Sequence, residues 1–164
     1  MEIGIWAIGL AIIVLCAIPF IAMAINKNKK QRLMIKELQD LAKSYSSDLG
    51  TFDHGIDFAI GMSTAKNYIY FYQSGIDEPT KDCIAVNSVL GCQVRMTKRR
   101  LKSKKGFEEV LQKLELEFDF NDGKVPPVRW CFYDTDKYYQ PNGELGLIKK
   151  WESDIQHALS FYST

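Results

Sequence analysis

Only two residues of this chain carry an imidazole, and both are candidates for acid–base chemistry. His54 stands between Asp53 and Asp57, a grouping that serves proton transfer or a metal if a pocket brings a substrate to it, and otherwise marks a turn or strand edge. His157 follows Ser153 by one helical turn and is expected to face solvent. Asp134, Asp136, Asn142 and Glu144 offer oxygen ligands around DTDKYYQPNGE. Their spacing lacks the alternating ligands, central glycine and closing glutamate of a calcium loop, and Asp and Asn are what turns ordinarily use. There is no phosphate-cradling glycine loop, nucleophile elbow or catalytic carboxylate pair. The expectation is a protein with no enzymatic activity, no metal and no cofactor.

Four cysteines, Cys16, Cys83, Cys92 and Cys131, form neither a CxxC nor a Cys/His pair, so zinc and redox motifs are not indicated. Buried free thiols in a reducing compartment account for them.

Charge is more informative. The formal net charge is only +1, but the positive residues are gathered in two places. Lys27, Lys29, Lys30, Arg32 and Lys36 form one acid-free cluster. Arg95, Lys98, Arg99, Arg100, Lys102, Lys104 and Lys105 form another, seven cations within eleven residues, read as a basic loop. Like charges so concentrated repel one another, so an anionic partner is the natural reading. Candidates are the anionic head groups of a membrane and an acidic protein surface, with a merely solvated loop as the plain alternative. Nucleic acid is disfavoured, because no aromatic stacking platform lies beside the cluster.

Ile3 to Ile25 contains no charged residue in 23 positions, about 34 Å of helix against a hydrocarbon core of about 30 Å. This predicts a single transmembrane anchor over residues 1–26. A cleaved signal would have a leading basic stretch and a shorter apolar core, whereas here Lys27, Lys29, Lys30 and Arg32 follow the segment. That charge order predicts an inner-membrane protein with its N-terminus outside and its folded domain on the cytoplasmic side. Ala7 and Ala11 form one small-xxx-small pair through which a homodimer is conceivable.

The elements that must position these residues follow. Residues 27–50 hold Met34, Leu38, Leu41 and Tyr45 at helical spacing, an amphipathic connecting helix with too few heptads for a coiled coil and a face suited to the downstream domain. From residue 51 the period turns strand-like. Ile56, Phe58 and Ile60, then Tyr68–Tyr72, predict two antiparallel strands about a polar turn. Cys83 to Met96 carries two apolar alternations broken near Asn87 to Val89, which implies a bend or bulge. Leu114, Leu116, Phe118 and Phe120 alternate with charged residues, describing a sheet with one dry face. A turn at Asn121-Asp122-Gly123, a strand from Val128 to Tyr133 and a C-terminal helix with Trp151 driven into the sheet complete an α+β domain.

The strand KLELEFDF, the proline-containing link, the strand VRWCFYD, a polar loop and the helix GELGLIKKWESDIQHALSFY resemble bacterial pleckstrin-homology-like (PH-like) domains over residues 53–162. The resemblance implies an antiparallel β-sheet or barrel capped by a C-terminal α-helix, over residues 51–164. The glycine-rich loop common in that group before the long strand is replaced here by TKRRLKSKKG. Together these readings predict a membrane-anchored binding or scaffolding module that meets membrane lipids or an acidic partner through its basic loop. The alternative is a small accessory subunit of a larger membrane complex.

Overall fold

The computed structural model describes residues 2–75, 78–103, 106–138 and 140–162, apart from the side chains of residues 2–12, 15, 19–24, 101, 103, 106 and 108. One helix, α1 (Glu2–Ser44), runs without interruption through the point where an anchor was expected to give way to a connecting helix. Among the described residues seven strands follow in two antiparallel sheets, and a second helix comes last.

The first sheet is β1 (Leu49–His54), β2 (Phe58–Ser63), β3 (Tyr68–Gln73) and β4 (Thr80–Ala85), hydrogen-bonded in that order. A single 3-10 turn at Val86–Ser88 marks the expected break and leads into the second sheet. That sheet is β5 (Val89–Ser103), β6 (Gly106–Phe120) and β7 (Val128–Asp134), again in chain order. The last helix is α2 (Glu144–Ser160).

The dense apolar runs of β2 and β3 have a simple cause: both of their faces are covered. Phe58, Ile60, Met62, Ile69 and Phe71 point toward β5–β7 and α2, where they meet Leu116, Phe118, Trp130, Phe132, Trp151 and Ile155. Phe71 stacks on Trp130 with ring centroids 4.9 Å apart, and Phe58 lies 4.5 Å from Phe132. On the other face Ala59, Tyr70 and Tyr72 receive Met34, Leu38 and Ala42 of α1, a separate apolar cluster. The amphipathic stretch therefore packs on its own domain. Gly61 permits that approach: a Cβ there would sit 2.6 Å from Leu49 Cδ1 and 2.9 Å from Leu38 Cδ2.

α2 buries Ile148, Trp151, Ile155, Ala158 and Leu159, spaced so that one helical face meets the second sheet. Trp151 is fully enclosed and donates its indole N–H to Asp53 Oδ2 at 3.0 Å. The same helix shields an open sheet edge, because Glu152 Oε1 accepts from the Val94 amide at 2.7 Å and Gln156 Nε2 donates to the Cys92 carbonyl at 3.1 Å. Two side chains one turn apart thus satisfy outward-facing groups of β5 that a neighbouring strand would otherwise take.

Two expectations are corrected. Spanning a bilayer takes about 20 consecutive apolar residues, and among the described residues no helix is long and apolar enough to cross a membrane. The single-pass anchor expected over residues 1–26 is therefore overturned, and most side chains of Ile3 to Ile25 lie outside the described residues. The basic run is also not a loop: Arg95 through Lys102 lie within β5, and Lys104 and Lys105 fall outside the described residues.

Candidate functional site

β5 and β6 are each fifteen residues long, whereas β7 pairs with β6 only between Lys113 and Phe118. The far half of the β5–β6 hairpin therefore has two unpaired edges. The register shifts between Thr97 and Lys98, and beyond the shift Lys98, Arg100 and Lys102 stand opposite Leu111, Glu109 and Phe107. Directly opposed residues share a face in an antiparallel pair. One face thus carries three cations, one carboxylate and a phenylalanine that is 76% exposed. Arg99 stands opposite Val110 on the other face.

The cations expected to act together divide into three groups. Arg95, at the hairpin base, is committed within the fold: its Nη1 donates to Glu117 Oε1 at 3.1 Å and to Oε2 at 3.0 Å. Glu117 also accepts from Gln93 Nε2 at 3.1 Å and from Arg129 Nε, and its side chain is only 5% exposed. The Arg129 hydrogen bond, and then the nearby guanidinium charges, hold this carboxyl below its usual range in spite of burial. Lys98 and Arg100 share one carboxylate, Glu109, at 3.4 and 3.5 Å. Arg99 and Lys102 make no ion pair among the described residues, and Lys104 and Lys105 lie outside them. Cations along an unpaired edge also discourage strand-to-strand association with other chains.

A second place gathers residues far apart in sequence. A cleft of about 650 Å³ opens between α1, the β1–β2 turn and the start of α2. Its walls include Lys27, Lys30, His54, Ile56, Asn142 and Glu144. Among the described residues His54 reaches only the neighbouring Gly55 carbonyl, at 3.4 Å from Nδ1. The acids beside it are committed elsewhere: Asp53 to Trp151 and to Lys150 at 2.6 Å, Asp57 to Gln73 at 3.3 Å and Lys137 at 3.8 Å. No carboxylate orients the imidazole among the described residues. Lys29 and Arg32, on the same helix, are exposed and are not part of the cleft wall.

The oxygen-bearing residues near the C-terminus serve local structure. Asp134 Oδ1 accepts the Asp136 amide at 3.0 Å in a turn, and the Glu144 carboxylate accepts the Asn142 amide at the head of α2. Among the described residues no group of three or more potential ligands could hold a metal. Burial pushes the Cys83 thiol up to about 11 and that of Cys92 up to about 12, far from the values that make a thiolate reactive.

Sequence reasoning located the basic cluster but missed its neutralisation, because Glu109 and Glu117 reach it only through the strand register. It also missed the link between the Lys27 cluster and His54, which sits in no local pattern. Comparison with protein-family models, with curated proteins and with solved structures found no match.

Proposed function

We propose that this chain is a non-enzymatic binding module on a PH-like domain, and that the far half of its β5–β6 hairpin docks on an anionic lipid surface. The observation that carries this reading is Phe107, 76% exposed on the same face as Lys98, Arg100 and Lys102. An aromatic ring flanked by cations suits the boundary between head groups and acyl chains, where the ring is buried and the charges meet phosphate. The order of four strands, then three, then a C-terminal helix supports the PH-like part of the reading. The commitment of Asp53 and Asp57 to other partners supports the non-enzymatic part.

Each basic residue near an anionic leaflet contributes about 1 kcal/mol. Replacing Arg100 and Lys102, both on that face, by serine should therefore lower the partition coefficient onto phosphatidylserine-containing vesicles about 30-fold at low salt. Phe107→Ser should weaken binding further without changing its salt dependence. Equal sedimentation of wild type and variants with these vesicles would sink the lipid reading, and retention of the hairpin on an acidic protein surface instead would point to a protein partner.

A further inference from the structure

We propose that the cleft between α1, the β1–β2 turn and the start of α2 is a binding site for a phosphate-bearing small molecule. At about 650 Å³ it falls within the roughly 300–1,000 Å³ usual for small-molecule sites. Its chemistry is dominated by donors. Lys27 and Lys30 stand one helical turn apart on α1 and both line the cleft. Neither makes an ion pair among the described residues, whereas Lys81, Lys113, Lys137 and Lys150 each pair with an acid. Two lysines placed in this way act as point charges toward the oxygens of one anion.

The facing wall adds the side-chain amide of Asn142 and the imidazole of His54, whose one hydrogen bond among the described residues is the long contact to Gly55. Gln31 contributes a further amide from α1. Glu144, the one acid in the lining among the described residues, is 3% exposed and turned to the backbone amide of Asn142, so a single negative charge stands against the two positive charges of Lys27 and Lys30. A phosphate offers acceptors only, which is the complement of such a wall. The volume exceeds that of a bare phosphate, and Ile56, 36% exposed, provides an apolar surface for the organic part of the ligand.

This site is separate from the hairpin and does not depend on it. The test uses full-length protein, titrated with inorganic pyrophosphate and with glycerol 3-phosphate while the amide resonances of His54, Gly55 and Asn142 are followed by NMR. Saturable shifts confined to these residues are expected. Lys27→Gln combined with Lys30→Gln should weaken binding by about tenfold or more, and Lys124→Gln, a surface lysine outside the cleft, should not. The Arg100→Ser, Lys102→Ser protein should bind normally, which separates this site from the hairpin. Vesicles of phosphatidylcholine doped with phosphatidic acid form a second arm. If they shift the same resonances and glycerol 3-phosphate does not, the phosphate belongs to a lipid head group; the reverse identifies a soluble ligand. Absence of saturable shifts with every probe, or affinity unchanged in a Lys27→Gln, Lys30→Gln protein of native circular dichroism, overturns the proposal.

Discussion

Glu117→Gln removes one charge from the centre of the second sheet while keeping the shape of the side chain. The carboxylate it replaces accepts two bonds from Arg95, one from Arg129 and one from Gln93, and joins β5, β6 and β7 at the root of the projecting hairpin. Breaking a fully buried pair costs about 3–5 kcal/mol. Here the two arginine side chains are 51% and 49% exposed and regain water, so the loss reduces to that of charge-assisted hydrogen bonds, about 1.5–3 kcal/mol. The pH dependence has a definite sign. Because the folded state lowers the Glu117 pKa, its contribution is complete above the unfolded value of about 4.3 and is lost as pH falls through the folded value. Urea unfolding of both proteins should therefore show a gap of about 2 kcal/mol near pH 7 that starts to narrow below about pH 4.3 and closes as pH falls through the lower folded value. A gap below about 0.5 kcal/mol at pH 7, or one that persists undiminished in acid, would refute the assignment of Glu117 as the ionic clasp of this sheet.

Other consequences are equally open to measurement. Gly61→Val places carbon where Leu38 and Leu49 already lie, and should destabilise the chain by about 1–3 kcal/mol and loosen α1, read as faster proteolysis between residues 30 and 45. Trp151→Phe keeps most of the apolar volume and loses the bond to Asp53, so it should cost about 1 kcal/mol, whereas Trp151→Ala should cost about 3–5 kcal/mol in chemical unfolding. Iodoacetamide at neutral pH should modify exposed Cys16 long before Cys92, whose thiol burial pushes up to about 12; mass spectrometry of timed samples shows the order.

What the sequence disclosed follows from how much apolar surface each element buries. Leu114, Leu116 and Phe118 alternate cleanly because β6 has one dry face over this stretch, and the break at Asn87 became a 3-10 turn because the chain must change sheets there. β1 has no counterpart among the expected strands, the first of which is placed at Ile56, Phe58 and Ile60. It is an edge strand with no buried residue, so it imprints no alternation on the sequence. The far half of β5 was read as a loop for the same reason: residues 95–100 are all exposed, and only hydrogen bonding to β6 makes them a strand.

The candidate sites were legible in composition and hidden in geometry. Seven cations within eleven residues are visible at once, but that Arg95 is held by Glu117, 22 positions later, depends on the pairing register. Lys27 and His54 share a cleft only because α1 packs across the outer face of the first sheet, a contact set by Met34, Leu38, Ala42 and the missing side chain at Gly61. The apolar stretch before Lys27 shows the opposite error, since its composition alone invited a membrane span that no helix among the described residues provides.

The claim that the hairpin reads an anionic lipid surface is tested most directly by the salt dependence of vesicle binding. Full-length protein should bind phosphatidylserine-containing vesicles and release them as ionic strength rises and the Debye length shrinks from about 30 Å at 0.01 M to about 8 Å at 0.15 M. The Arg100→Ser, Lys102→Ser protein should start about 30-fold weaker and lose less on adding salt, while Arg95→Ser should bind as wild type does and unfold more easily. Binding that is indifferent to salt, or a loss in Arg95→Ser as large as that in Arg100→Ser, Lys102→Ser, would contradict it.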